Sequence, residues 1–313
     1  MGFQRIQSRE LPDGTIALVY PFHICMEGMR SVLLCRDDED YDVLQKTIHV
    51  SCHVNNVIVI EEIVMSNHCH AGVLAVSQSN ADRAGEMIKK NYSQFISYKY
   101  GERGTLCGCD VKAIYIDSDS YLRNALAYIP RNALDAGKRI DEYKWSSYRG
   151  MFITNRSIGK RVSALSRREK ESLFHTHANL NNVLWEIDDN GCLIPETACD
   201  HLYLEKAFYN DQAFFLRTIG SVNYAEMTQK LVSAPRERIN DDEFNKYVNE
   251  TVNRWFNSDL ASISLNKKAR IVPYLYHTRK TSVAQLARCV QLERSQVEEM
   301  LRLGTGNWRR SDE

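Results

Sequence analysis

The chain of 313 residues contains 40 Lys and Arg residues and 40 Asp and Glu residues, so its formal net charge at pH 7 is zero. A neutral chain has no overall basic field to attract nucleic acid, and any such binding depends on local patches. The length is sufficient for about two domains, and no apolar run approaches the roughly 18 to 20 residues needed to cross a bilayer. Nothing at the N-terminus resembles a signal peptide, and the nine cysteines form no repeated Cys-x-x-Cys pairs. We therefore expect a cytoplasmic protein with reduced thiols.

The first part of the chain predicts two strands joined by a helix. Residues 15–25 predict a strand that is interrupted or bulged at Pro21. The acidic residues 37–40 predict the start of a helix that continues to about His53, because negative charge is favourable at a helix N-terminus. The β-branched run at 57–65 predicts a central strand.

The next part of the chain predicts a hairpin, a helix, a strand and a second helix. Ser66 and Asn67 predict a tight turn, so the strands on either side of it form a hairpin. Apolar residues recur at intervals of three and four over 79–100, which predicts a helix that ends at Gly101. A strand over 110–116 and a further helix follow. This order predicts an α+β fold with a mainly antiparallel sheet.

Two histidines lie two residues apart in the strand-like run at 64–74. Side chains alternate between the two faces of a strand, so His68 and His70 lie on one face and Cys69 lies on the other. Two neutral imidazoles on one face form half of a metal site. Two histidines hydrogen-bonded on a sheet surface give the same pattern, and the pair alone leaves both interpretations open.

The helix after strand 110–116 carries a phenol and an amide four residues apart. Tyr128 and Asn132 lie one above the other on the same helical face, where both can reach one ion. Pro130 stands between them and removes one helical hydrogen bond. Tyr128 is therefore a candidate nucleophile, and Tyr92 on the preceding helix is its rival. The residue four positions after Tyr92 is Ile96, which cannot ligate a metal. Tyr128 is therefore preferred, and the alternative is a tyrosine packed on the sheet.

A set of motifs in the first half of the chain agrees in order and spacing with one known family. The residues are Met65, Asn67, His68-Cys69-His70, Tyr128-Ile129, Asn132 and Trp145-Ser146-Ser147-Tyr148. With these residues the chain resembles the HUH single-tyrosine transposases, specifically the REP-associated tyrosine transposase branch. The chain departs from the family pattern at Ala133, where relatives usually have proline, and at Cys107, where they commonly have tryptophan.

The resemblance implies a ferredoxin-like HUH domain with an antiparallel sheet. It implies a metal-dependent transposase-like enzyme that cleaves and rejoins DNA strands through a 5′-phosphotyrosine intermediate. Tyr128 is then the catalytic nucleophile, and His68, His70 and Asn132 hold Mg²⁺ or Mn²⁺. The implied partner is single-stranded or hairpin DNA from palindromic repeats. The implied protein is a monomer or homodimer in the bacterial cytoplasm, associated with the nucleoid.

The second half of the chain offers two further features. The basic stretch at 156–170 is either a solvated helix face or a segment that contacts phosphates. Residues 282–301 resemble a helix-turn-helix in which Gln291 replaces the usual turn glycine, although a small three-helix bundle gives the same pattern. We expect a catalytic domain at 1–150, a basic and mixed helical connecting region at 151–262, and a helix-turn-helix-like DNA-binding module at 263–313.

Two other functions compete with the transposase interpretation. One is a sequence-specific DNA-binding regulator that keeps the fold without the chemistry, against which the intact His68, His70, Tyr128 and Asn132 argue. The other is a metal-dependent phosphodiesterase that uses water, for which removal of Tyr128 leaves cleavage largely intact. The candidate DNA contacts are Lys89, Lys90, Arg131, Arg161, Arg167, Arg168, Arg294 and Gln296.

Overall fold

The computed structural model describes residues 3–27, 33–104, 106–155, 157–221, 241–279, 281 and 283–303. Arg156 of the basic stretch and Ser282 of the helix-turn-helix-like segment lie outside the described residues. The chain divides into two compact units, Met1–Leu231 and Val232–Glu313. The expected functional boundaries near residues 150 and 262 stay predictions. None of the helices described is long and apolar enough to cross a membrane.

The first unit is built on one antiparallel sheet. Its strands are β1 (Gln7–Glu10), β2 (Ile16–Glu27), β3 (Ile58–Val64), β4 (His68–Ala75) and β5 (Asp110–Tyr115). The order is β1-β2-β4-β3, and β5 also pairs with β2. Strands β3 and β4 form the predicted antiparallel hairpin. The α+β class and the antiparallel sheet are thereby confirmed.

The prediction that the first strand is interrupted or bulged at Pro21 was wrong. Strand β2 continues through Pro21, which pairs with Leu74 of β4. Residues 16–19 of β2 pair with β1, whereas Phe22 and the residues after it pair with β5. Pro21 therefore lies where β2 changes partner, so its lack of an N–H group removes no ladder bond on that edge.

Three helices cover the sheet. They are α1 (Asp38–Val54), α2 (Gln78–Tyr100) and α3 (Asp119–Asp135). The predicted helices are confirmed, and their ends carry the expected local signals. Ser118 caps α3 by accepting a hydrogen bond from a backbone N–H of the first turn, and α2 ends at Gly101, whose φ of 69° suits glycine.

The sheet separates two apolar layers. Leu44 of α1 and Ile88 of α2 pack in one layer with Val73 of β4. Leu126 of α3 packs in the other layer with Leu74, the next residue of β4. Alternation along β4 therefore assigns α1 and α2 to one face of the sheet and α3 to the other.

The segment after α3 returns to the edge of β3 that does not pair with β4. The Val64 N–H donates to the Trp145 carbonyl at 2.9 Å, and Ser146 forms an isolated bridge with Ile63. The Ser147 hydroxyl accepts a hydrogen bond from the Glu62 N–H at 2.9 Å. The remaining elements of this unit are β6 (Lys160–Arg161), α4 (Arg167–Phe174), β7 (Glu186–Ile187), α5 (Pro195–Ala198), α6 (His201–Ala207) and α7 (Gln212–Ser221).

The second unit is helical in the part that is described. Its helices are α8 (Asp241–Phe256), α9 (Leu265–Arg279), α10 (Val283–Val290) and α11 (Arg294–Leu303). Ala287 and Val297 are buried in its apolar core. The turn between α10 and α11 begins at Gln291, whose φ of 55° is the left-handed conformation for which glycine is usual.

Candidate functional site

The site begins at the N-terminal end of β4. His68 and His70 are its first and third residues, so both side chains lie on the face that α3 covers. Their ring centroids are 5.0 Å apart. Cys69 points to the opposite face and packs in the layer beneath α1 and α2. The alternation predicted from the sequence therefore places the two imidazoles together.

Helix α3 brings an amide oxygen to the same place. The Asn132 Nδ2 donates to the Tyr128 carbonyl at 2.9 Å and to the Ile129 carbonyl at 3.1 Å. These bonds within one helical turn direct Oδ1 outward, where it lies 3.1 Å from His68 Nε2. The helix continues through Pro130. The missing proline N–H therefore does not displace Asn132 from the histidine.

One pair of donor atoms has the spacing expected around a small divalent cation. Adjacent ligands of an octahedral ion lie about 3 Å apart when the bonds are about 2.1 Å long. The 3.1 Å between His68 Nε2 and Asn132 Oδ1 matches such an edge. Two imidazole nitrogens with one amide oxygen suit Mn²⁺, and Mg²⁺ is accepted when further oxygen ligands complete the shell.

The Tyr128 ring lies against the histidines. Its centroid is 5.3 Å from that of His70 and 6.2 Å from that of His23, both in edge-to-face geometry. Tyr128 is 6% exposed. Helix α3 therefore places the phenol beside the imidazole pair, and the four residues predicted from the sequence occupy one location. Their chemical roles stay predictions.

His23 is a further member of the site. From the sequence it could be a ligand, but the role we expect is that of a partly buried residue of the first strand. In the structure it is fully buried, and its Nε2 lies 3.1 Å from His70 Nδ1. Histidines that bind metal commonly use the second ring nitrogen in such a bond, which fixes the tautomer and the ring orientation.

The electrostatics favour neutral imidazoles at pH 7. Burial lowers the pKa of His23 to about 4. Burial also lowers the pKa of His70 well below its usual range, with smaller contributions from His23 and His68. The pKa of His68 is lowered by burial and partly restored by the hydrogen bond with Asn132. Unprotonated rings keep a nitrogen lone pair available for a metal.

The rival nucleophile lies on the wrong side of the sheet. Tyr92 of α2 is buried in the layer that contains Cys69, and its hydroxyl donates to the Leu34 carbonyl at 2.6 Å. The sheet therefore separates Tyr92 from His68 and His70. The preference for Tyr128 over Tyr92 agrees with this geometry.

Some of the candidate DNA contacts lie across the sheet from the histidines or form hydrogen bonds within the protein. Lys89 and Lys90 lie on α2, across the sheet, and the Lys89 ammonium donates to the Cys109 carbonyl at 2.6 Å. Arg131 of α3 donates to the Ile219 carbonyl at 2.7 Å, so its guanidinium joins α3 to α7. These contacts support the fold.

The basic stretch is mostly exposed in the part described. Arg161, Arg167 and Arg168 are exposed, and Arg167 forms an ion pair with Glu171 at 2.8 Å. Lys170 is different, since it is buried and its Nζ donates to Asn181 Oδ1 at 2.7 Å. Lys170 therefore stabilises the region and does not face solvent.

The two candidates in the second unit lie at the start of α11. Arg294 is exposed and forms an ion pair with Glu298 at 2.8 Å. The Gln296 side-chain oxygen accepts the Glu293 N–H at 3.0 Å and so caps the helix.

No protein-family model matches the sequence, and no curated protein matches it significantly. A solved structure of the REP-associated tyrosine transposase bound to a REP hairpin is similar to this chain. The similarity covers 48% of this chain and 84% of that one, with 12% sequence identity and a TM-score of 0.32.

Proposed function

We propose that this protein is a metal-dependent enzyme that cleaves and rejoins strands of single-stranded or hairpin DNA, with Tyr128 as the nucleophile. One observation carries the proposal. Two separate elements, β4 and α3, bring two imidazoles, an amide oxygen and a phenol to one location. The donor set fits Mg²⁺ or Mn²⁺, and the phenol fits a covalent mechanism. The choice of DNA follows from the sequence resemblance to the HUH transposases.

The covalent step is a transesterification. The Tyr128 oxygen forms a bond with phosphorus while the bond from phosphorus to the 3′ oxygen breaks. The products are a 5′-phosphotyrosine and a free 3′-hydroxyl, which takes up the proton that the phenol releases. The reverse step, on the same or another 3′ end, rejoins the strand without a nucleoside triphosphate because the phosphodiester is conserved.

The residues around Tyr128 position the reacting groups. His68, His70 and Asn132 would hold the ion, and His23 would fix the His70 ring through the 3.1 Å contact. When bound, the ion supplies positive charge to the non-bridging phosphate oxygens. Asn132 joins the two halves of the site because it contacts both the Tyr128 carbonyl and His68.

In this proposal, the second unit binds duplex DNA. Helices α10 and α11 are joined by a short turn at residues 291–293, as in a helix-turn-helix. Arg294 is exposed at the start of α11, where recognition helices contact bases. We infer that this unit binds the double-stranded part of the target while the first unit cleaves the single strand.

Incubation of the protein with end-labelled hairpin DNA and Mn²⁺ tests the proposal. We expect a protein–DNA adduct that withstands denaturing electrophoresis. The Tyr128→Phe substitution keeps the ring in its buried position. This variant should form no adduct, and its cleavage rate should be lower by several orders of magnitude. Tyr92→Phe is the matched control, because Tyr92 is a buried helical tyrosine across the sheet, and it should retain the adduct.

Burial of the phenol favours a second candidate. Tyr128 is only 6% exposed, and a nucleophile must reach phosphorus. A metal-dependent phosphodiesterase that uses water needs no such access. Two results together would support this hydrolase and refute the transesterification. The Tyr128→Phe variant would cleave DNA at the rate of the parent protein, and the parent protein would form no adduct.

A further inference from the structure

A second group of metal ligands lies on the other face of the sheet. His49 is on α1, Glu62 is on β3, and Cys199 follows α5. Their ligand atoms all lie within 4.8 Å of one another. His49 Nε2 and Glu62 Oε1 are 3.8 Å apart. Three separate segments therefore present an imidazole, a carboxylate and a thiol to one point.

The backbone holds these three segments together. The Asp200 N–H donates to the Val59 carbonyl at 2.8 Å, which fixes the residue after Cys199 to the edge of β3. The Ser147 hydroxyl, which accepts from the Glu62 N–H, also contacts the Cys199 thiol. Hydrogen bonds of the fold therefore hold Cys199 close to Glu62.

The polar atoms at this point are incompletely paired. Glu62 is 1% exposed and His49 is 2% exposed. The Gln45 Nε2 donates to Glu62 Oε1 at 2.8 Å. Within the described residues, Glu62 Oε2 and His49 Nδ1 have no hydrogen-bond partner. A buried carboxylate oxygen without a partner is unfavourable, and a cation between Glu62, His49 and Cys199 would satisfy it.

The donor types select the metal. A thiolate with an imidazole and a carboxylate suits Zn²⁺, whereas Mg²⁺ and Ca²⁺ prefer oxygen ligands. In a tetrahedral site with bonds of roughly 2.0–2.3 Å, neighbouring ligand atoms lie roughly 3.3–3.8 Å apart. The 3.8 Å between His49 and Glu62 already fits this range. The ligand atoms of the whole set lie within 4.8 Å of one another, so a bound ion would draw any wider pair to this spacing.

A cleft of about 580 Å³ gives access from solvent. His49 and Cys199 both line it, together with His53, Trp185 and Asp200. Glu62 does not line the cleft and is almost fully buried. The cleft provides an entry path and space for a water molecule as the fourth ligand.

We propose that His49, Glu62 and Cys199 form a zinc site, separate from the His68 and His70 site, which joins α1, β3 and the segment before α6. The two sites use opposite faces of the sheet. They also differ in chemistry, because only this one contains a thiolate. The proposal is independent of whether Tyr128 cleaves DNA.

Cobalt substitution gives a direct test in the full chain. After treatment with a chelator, Co²⁺ added to the parent protein should bind with a thiolate-to-cobalt charge-transfer band and the intense visible bands of tetrahedral geometry. Cys199→Ser, which changes one atom, should lose the charge-transfer band. Cys192→Ser is the matched control, since this half-buried thiol is outside the cluster, and it should keep the band. A parent protein without the band, or a band that Cys199→Ser retains, would overturn the proposal.

A second measurement requires no variant. Zn²⁺ added to the chelator-treated parent protein should slow alkylation of Cys199 at least tenfold, read by mass spectrometry of the tryptic peptides. Alkylation of Cys192 should be unchanged in the same sample. Equal slowing of both thiols, or no slowing of Cys199, would contradict the site.

Discussion

The His70 ring is held by His23, whose Nε2 lies 3.1 Å from His70 Nδ1. When this nitrogen of His70 is the donor, the other ring nitrogen keeps its lone pair for a metal. The pairing of His23 with Gly72 places it beside His70 on the α3 face. The sequence alone does not specify this register, because β2 and β4 are separated by a helix and a strand.

Removal of the His23 hydrogen bond should weaken metal binding. We expect His23→Leu to lower the affinity for Mn²⁺ by about 10- to 100-fold, because the His70 ring loses its orientation. His23→Gln, which keeps a polar group in the same place, should retain more of the affinity. Electron paramagnetic resonance of free Mn²⁺ in a titration measures the effect. An unchanged affinity in His23→Leu would show that His23 does not act through His70.

Most elements of the first unit could be predicted from the sequence, because their signals are local. Capping side chains, apolar periodicity and a terminal glycine define α1, α2 and α3. The path of β2 through Pro21 could not be predicted, because the strand changes partner there. The group of His49, Glu62 and Cys199 was missed for a similar reason, since its members come together only through tertiary contacts.

Helix α2 approaches β5 closely at Gly85. A Cβ atom there would lie 2.7 Å from Val111 Cγ1, and valine has little rotamer freedom to move away. We expect Gly85→Ala to lower the free energy of unfolding by roughly 1–3 kcal/mol despite the better helix propensity of alanine. Arg83→Ala, at an exposed position of the same helix, should be nearly neutral. Urea unfolding monitored by circular dichroism measures both, and a stabilised Gly85→Ala would refute the close contact.

Helix α4 begins with a reciprocal cap between Ser166 and Glu169. The hydrogen bonds with Ser166, aided by Lys160, lower the pKa of Glu169 to about 2. A lowered folded-state pKa stabilises the protein above the unfolded value near 4.5, and this contribution is lost as the pH falls from there toward 2. Glu169→Gln should therefore be less stable than the parent at pH 7, with a difference that narrows below pH 4.5. Urea midpoints across this range test the expectation, and a constant difference would contradict it.

The balanced charge of the whole molecule gives it no overall attraction to DNA. With 40 basic and 40 acidic residues, the proposed DNA binding depends on local groups, and the exposed Arg168 is one candidate. If Arg168 contacts a phosphate, Arg168→Gln lowers the slope of log affinity against log salt by about 0.7 for single-stranded DNA. Arg139→Gln is the control, because Arg139 is exposed and already paired with Asp141 at 2.6 Å. Identical slopes for both variants would show that Arg168 does not contact a DNA phosphate.

The central claim is that Tyr128 becomes covalently joined to DNA. The most direct measurement is tandem mass spectrometry of the adduct formed with hairpin DNA and Mn²⁺, after digestion of both the protein and the DNA. We expect a phosphate on Tyr128 that joins the tyrosine to the 5′ end of the downstream DNA fragment. A phosphate on Tyr92 or another residue, or cleaved DNA without any protein adduct, would contradict the account.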